Sequence, residues 1–341
     1  MNPTLIIWLE LALCTGLIGV AGVRLSLYGD VIATHTGLSR NWVGLIFLAT
    51  VTSLPELITG LSAVTVAAAP DIAMGDVLGS CVFNLAIFAF IDLLYRGGSL
   101  YAVVGRGHLV SAAFGVILLA GVALAMLLSA QGLVLAFGHI SAASLLLMGG
   151  YLMAMRTLYL VEQQTLAPPV TTKTARATQA MTLKSALMGY ALASAVIIGA
   201  GIWLPMVGVR LATLMGWSNS FVGTLFIALA TSVPELATTW GALRIGALDM
   251  AVGNLLGSNL FDVLILAIDD MAYLPGPIFS GVSPAHAISA MTACLMGGII
   301  VLALAYRPGA RVAQTARWVS GLLLTFYLLN VFLHFKLGQP V

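Results

Sequence analysis

A short acidic phrase occurs twice inside stretches apolar enough to lie within a lipid bilayer. The first copy reads GLIFLATVTSLPELITGLSAV, Gly44 to Val64, and the second GTLFIALATSVPELATTWGAL, Gly223 to Leu243. Each contains Thr-Ser-x-Pro-Glu: Thr52, Ser53, Pro55 and Glu56, then Thr231, Ser232, Pro234 and Glu235. A carboxylate at the centre of a membrane helix costs about 2.5–3.5 kcal/mol on insertion scales, so an acid there marks function by default. The same acid twice, with the same hydroxyl neighbours, points to a site that holds a cation.

A second related pair follows at similar distance. DIAMGDVLGSCVFNLAIF, Asp71 to Phe88, aligns with LDMAVGNLLGSNLFDVLIL, Leu248 to Leu266, matching Gly75 with Gly253, Gly79 with Gly257, Ser80 with Ser258, Phe83 with Phe261 and Asn84 with Asp262. The chain is therefore an internal duplication with an offset of about 178 residues; Pro- or Gly-interrupted segments at matching places in two halves are where transporters build binding sites.

The 341 residues are 60% hydrophobic and only 8% charged, far from the usage of soluble domains. Apolar runs long enough to span a bilayer predict ten transmembrane helices, at 4–29, 41–67, 72–95, 107–129, 132–155, 184–214, 220–244, 248–274, 285–306 and 313–335. Glu10 interrupts the first run, which is also too long for a signal-peptide core. The expected fold is an all-α membrane protein of two five-helix repeats, 1–155 (motif 44–88) and 184–341 (motif 223–266), joined by a polar linker, 156–183, with no motif of its own.

Of the 14 basic residues, all but Arg210 and Lys336 fall on one side if the ten spans alternate. The positive-inside rule then places both termini outside and the linker in the cytoplasm of a multi-pass cell-membrane protein. Equivalent helices are five spans apart, an odd number, so the two halves are inverted. Glu56 and Glu235 each lie about fifteen residues into their spans, which at ~1.5 Å per residue brings both near the midplane from opposite sides.

Thr52 and Ser53 precede Glu56 by four and three residues and share its helical face, as do Thr231 and Ser232 with Glu235. Pro55 and Pro234 cannot donate the helical hydrogen bond, so each breaks its helix and frees carbonyl oxygens beside the acid. Ser80 with Asn84 and Ser258 with Asp262 are i, i+4 pairs that add a hydroxyl and an amide or carboxylate. Hard oxygen donors without thiolate or imidazole suit Ca²⁺ and Na⁺ and disfavour zinc or copper.

These phrases resemble the α-repeats of the cation/calcium antiporter superfamily, in its prokaryotic sodium/calcium exchanger branch. The resemblance implies ten helices around a four-helix core, with spans 1 and 6 as a long tilted pair that slides during alternating access. It also implies ion coordination by Glu56 and Glu235, by Asn84 and Asp262, and by the hydroxyls of Thr52, Ser53, Ser80, Thr231, Ser232 and Ser258, with backbone carbonyls at Ala49 and Ala228. The chain departs from the family pattern in four places. Val51 and Ala230 replace a usual glycine, and the first repeat has Asp76 and Cys81 where the second keeps Asn254 and Asn259. Asp76 is read either as a fourth carboxylate at the site or as a wet residue at the helix entrance.

Other polar residues carry weaker signals. Asp269 and Asp270 read as solvated at the end of span 8, with a cation-attracting vestibule as the second reading, and Asp71 and Asp249 as helix N-terminal caps. Glu10 and Asp92 read as snorkelling or pairing residues and receive no functional role. His35, His108, His139, His286 and His334 read as core or interface residues, and Cys14, Cys81 and Cys294 as small buried hydrophobes. The function expected is exchange of Ca²⁺ for Na⁺, with no enzymatic activity, no cofactor and no nucleic-acid partner; lipid surrounds the chain. Exchange of Ca²⁺ for H⁺ is the alternative. A passive channel suits deep broken-helix sites poorly, and an intramembrane aspartyl protease lacks its required motif, since Ala73 stands where Gly-x-Gly-Asp needs glycine.

Overall fold

The computed structural model describes residues 2–36, 49–95, 99–164, 181–307 and 313–337. Its two longest helices, α1 (Pro3–Thr36) and α8 (Leu183–Met215), have 34 and 33 residues and pack along each other. At ~1.5 Å per residue each is about 50 Å long, more than a ~30 Å hydrocarbon core, so each crosses a bilayer tilted. Between them in sequence lie α2 (Ala49–Thr52), α3 (Leu54–Thr65), α4 (Pro70–Leu94), the short α5 (Leu100–Val103), α6 (Gly107–Ala130) and α7 (Ala142–Gln164). The second half continues with α9 (Asn219–Val222), a π-helical turn (Gly223–Ile227), α10 (Ala228–Thr231), α11 (Val233–Arg244), α12 (Leu248–Ala272), the short α13 (Ile278–Gly281), α14 (His286–Tyr306) and α15 (Ala313–Leu337).

Among the described residues eight helices are long and apolar enough to cross a membrane, or nine if the bent pair Asn219–Thr231 and Val233–Arg244 is one span. The tenth expected span is the one at 41–67. Its second part is α2 and α3, whereas 41–48, with Gly44, lies outside the described residues. The span expected at 132–155 starts later, at Ala142, because the chain first turns back on itself. Gly132 and Gly138 adopt left-handed φ of 76° and 65°, and a two-residue antiparallel ladder, β1 (Ala136–Phe137) with β2 (Ile140–Ser141), precedes the helix. Hydropathy alone does not register such a turn.

The central helices are α4 and α12, 78% and 83% buried over their most apolar windows, against 28% for the outer α7 and α15. Gly75 and Gly79 let α4 approach the π turn closely: a Cβ at Gly75 would lie 2.8 Å from the Thr224 nitrogen, and one at Gly79 2.7 Å from Ala228 Cβ.

The two halves contact each other reciprocally. Asp71 Oδ1 accepts from His286 Nε2 (3.0 Å) and the Ser283 amide (2.7 Å); its repeat counterpart Asp249 accepts from His108 Nε2 (3.0 Å) and the Gly105 amide (2.6 Å). Asp92 accepts from the Leu100 amide (3.4 Å) and Ser320 Oγ (2.6 Å), and Asp270 from the Ile278 amide (2.7 Å), Ser144 Oγ (2.6 Å) and the Ser141 amide (2.7 Å). Contacts in which i meets j′ and j meets i′ are the mark of a two-fold. Equivalent residues touch along it: Cys81 and Asn259, 178 apart, bond each other's backbone carbonyls, and Cys294 reaches the Val116 carbonyl, also 178 apart. Among the described residues α12 is the fifth span after α4, so the second half is inverted relative to the first.

These contacts correct or extend four sequence readings. Asp269 and Asp270 are fully buried, not solvated. Asp71 and Asp249 do open their helices, yet each also binds a loop and a histidine of the other half. Asp92 has a structural role as the counterpart of Asp270. Glu10 pairs with Arg210 at 2.5 Å and so links α1 to α8.

Candidate ion-coordination site

Both acidic spans break at their Thr-Ser step. Ser53 (φ −86°, ψ 12°) separates α2 from α3, and Ser232 (φ −83°, ψ 7°) separates α10 from α11, where the axis bends by 44°. The helix restarts with proline in its opening positions, which needs no amide there, and Glu56 and Glu235 sit in the first turn. Their carboxylates thus lie near a helix N-terminus, where the peptide dipoles favour negative charge. In the second half a π turn, a form concentrated at functional sites, precedes the break.

The hydroxyl of each half serves the acid of the other. Ser53 Oγ donates to Glu235 Oε1 and Ser232 Oγ to Glu56 Oε1, both at 3.3 Å. Thr52 Oγ1 donates to Asn254 Oδ1 (3.3 Å), and Thr231 Oγ1 donates to Asp76 Oδ1 (2.8 Å). Ser80 Oγ lies 2.9 Å from Ser232 Oγ, and Ser258 Oγ lies 3.4 Å from Thr52 Oγ1. Asn84 Nδ2 donates to Asn259 Oδ1 (3.0 Å), while Asp262 Oδ2 lies 3.6 Å from Cys81 Sγ. Every one of these side chains is buried.

One oxygen of each key residue stays without a hydrogen-bond partner among the described residues: Glu56 Oε2, Glu235 Oε2, Asp76 Oδ2, Asp262 Oδ1 and Asn84 Oδ1. No lysine, arginine or histidine among the described residues forms an ion pair with any of these acids. Four buried carboxyl groups in that state must either be neutralised by protons or compensated by a bound cation, since an unpaired buried charge costs several kcal/mol. No three acidic, imidazole or thiol groups among the described residues already stand close enough to cage a metal.

Structure and sequence reading differ in detail. Asp76 is buried beside the site, not wet at the helix entrance. Cys81, read as a small hydrophobe, bonds Asp262 within the site; Asn254 bonds Thr52 and the Glu235 carbonyl, and Asn259 bonds Asn84 and the Cys81 carbonyl. Their signal was present in the second copy's Gly-Asn and Gly-Ser-Asn steps. The Ala228 carbonyl already accepts from the Ser232 amide (3.0 Å) and lies 3.2 Å from Thr231 Oγ1. Ala49 opens α2, and the residues just before it lie outside the described ones.

Inverted halves, broken helices at mid-span and a buried carboxylate–hydroxyl cluster define a secondary membrane transporter for cations. The family model described as sodium/calcium exchanger protein matches residues 6–161 and 185–336, and the chain belongs to that family. It is 27% identical over 264 residues to the inner membrane protein YrbG of Escherichia coli (strain K12), covering 75% of this chain and 76% of that one. It is 36% identical over 81 residues to the sodium/calcium exchanger MaX1 of Methanosarcina acetivorans, covering 24% and 23% of the two chains. The sodium-calcium exchanger NCX_Mj, in a structure soaked with Na⁺ and Sr²⁺, superposes with a TM-score of 0.59 at 19% identity, over 96% of this chain and 98% of that one.

Proposed function

We propose that this antiporter exchanges Ca²⁺ for Na⁺ by alternating access to one midplane site. Its ligands are Glu56, Glu235, Asp262 and Asn84 with the hydroxyls of Thr52, Ser53, Ser80, Thr231, Ser232 and Ser258, assisted by the carbonyls of Ala49 and Ala228. The observation that carries this reading is the crossed pair Ser53–Glu235 and Ser232–Glu56: each acid is held by the opposite half and keeps one oxygen free. An ion bound there is bound by both halves at once, so it senses any motion between them.

Ca²⁺ takes about 6–8 oxygen ligands, and carboxylates, amide and hydroxyls of this cluster supply that chemistry. The exchangers MaX1 and NCX_Mj carry sodium and calcium in their names, which supports the ion pair. The charge bias of the loops supports both termini outside and the 156–183 linker in the cytoplasm, between repeats 1–155 and 184–341. The chain needs no cofactor and performs no covalent chemistry. Ca²⁺ uptake into sealed proteoliposomes, with and without an opposed Na⁺ gradient, tests the proposal. Uptake driven by Na⁺ supports it, and uptake driven only by a pH gradient replaces Na⁺ with H⁺.

A further inference from the structure

The two halves depart from their two-fold at three positions that meet in one place. In the second half Asn254 donates Nδ2 to the Glu235 carbonyl (3.4 Å) and to Thr239 Oγ1 (3.1 Å), and accepts from Thr52 through Oδ1 (3.3 Å). The repeat carries Asn254 onto Asp76, Thr239 onto Gly60 and Ile91 onto Asp269. Asp76 keeps the equivalent Oδ1 bond, from Thr231 at 2.8 Å, which puts its Oδ2 where the amide nitrogen stands in the other half. That oxygen has no partner among the described residues.

Gly60 supplies no hydroxyl in place of Thr239. Its α-carbon lies directly against the Asp269 carboxylate, so that a Cβ there would come within 2.9 Å of Asp269 Cγ. Asp269 is 0% exposed, and neither of its oxygens has a partner among the described residues. Where the second half has an amide, a hydroxyl and an aliphatic side chain, the first therefore has three carboxylate oxygens, with the Glu56 carbonyl in the place of Glu235's. Every one is an acceptor, and a buried set of acceptors without a donor is the chemistry of a cation site.

We propose that Asp76 and Asp269, which the two-fold correspondence brings together at Gly60, bind a second hard divalent cation beside the Glu56–Glu235 site. Two carboxylates balance one divalent charge, and the donors are oxygen only. Asp269 is seven residues beyond Asp262, about 10 Å along α12, so the second ion stands between the central site and the membrane face where α12 ends. The antiporter reading enters only in naming Ca²⁺ as that ion.

Calorimetric titration of the purified full chain with Ca²⁺ is the test. Wild type should bind one more Ca²⁺ per chain than Asp269→Asn, and Glu235→Gln should lose the central ion while retaining the second. Asp269→Ile, which restores the aliphatic side chain of the two-fold position, should lose the same ion, and both variants should keep a single cooperative melt. Equal stoichiometry in wild type and both Asp269 variants overturns the second site. Na⁺-independent Ca²⁺ uptake would instead overturn the exchange proposal and leave the stoichiometry difference standing.

Discussion

Exchanging Glu235 for glutamine replaces one atom at the centre of the site. In the folded chain Glu235 Oε1 accepts from Ser53 at 3.3 Å, and Oε2 is buried without a partner. Glutamine keeps the first bond through its carbonyl oxygen and puts an NH₂ donor where a cation needs an oxygen. The volume is conserved, so the helix break and the fold should persist. Removing one partner from a buried, hydrogen-bonded charge pair costs about 2–5 kcal/mol. At ~1.4 kcal/mol per tenfold, Ca²⁺ affinity should fall about 30- to 4,000-fold. Because the two-fold carries Glu235 onto Glu56, whose Oε1 accepts from Ser232 at the same 3.3 Å, Glu56→Gln should lose affinity to the same order. Calorimetry on both variants and Ca²⁺ uptake by reconstituted vesicles measure this. A dissociation constant within about threefold of wild type for either variant, a change under ~0.7 kcal/mol, would refute the shared site.

Competition should be visible in the same titrations: Glu56, Glu235 and Asp262 together offer about three negative charges, enough for one Ca²⁺ or several Na⁺ but not both, so rising Na⁺ should weaken apparent Ca²⁺ affinity, and an affinity that ignores Na⁺ would exclude it as the coupling ion. Asn84→Asp sets a carboxylate against Asn259 Oδ1, which now accepts from Asn84 at 3.0 Å; the added charge should raise the proton affinity of the cluster and move the transport optimum to higher pH, and an unchanged pH profile would place residue 84 away from the ion. Asp270→Ala removes the acceptor of Ser141, Ser144 and Ile278 and should destabilise the fold by about 2–5 kcal/mol, read as a lower melting temperature, with Ca²⁺ stoichiometry unchanged.

Much of the site was legible because acids in apolar spans have so few explanations. Thr52, Ser53, Glu56 and their counterparts stood out as an inverted pair, and the proline beside each told where the helix would break. The contacts between halves were not legible in the same way. Asp269 and Asp270 end an apolar run, and hydropathy reads the end of a run as wet; only the packing of α3 and of the 136–144 turn against α12 buries them. A signal did exist: the alignment continues past Phe88 at the same register, pairing Asp92 with Asp270, Tyr95 with Tyr273 and His108 with His286. Carried that far, it would have predicted the Asp–His bonds between halves. The π turn had no such trace beyond Gly223, since backbone register within a helix depends on what packs against it.

Where the two-fold fails is as telling as where it holds. The register that carries Pro55 onto Pro234 also carries Gly22 of α1 onto Gly201 of α8. Gly22 lies against Pro234, the break of the second half, so that any side chain at 22 would collide with the ring. Symmetry would seat Gly201 against Pro55. Instead it lies against Ile58 and Thr59, with a Cβ there 3.1 Å from Ile58 Cβ and 3.4 Å from Thr59 Oγ1, three to four residues further along α3. One turn of helix is ~5.4 Å. The α1–α8 pair, tied together by Glu10 and Arg210, is thus displaced by about one turn along the core relative to its symmetric position. It closes on one broken helix and has moved past the other. Because the halves are inverted, transferring that offset from one half to the other yields the corresponding arrangement with the opposite face covered, and a transporter that alternates its access must visit both.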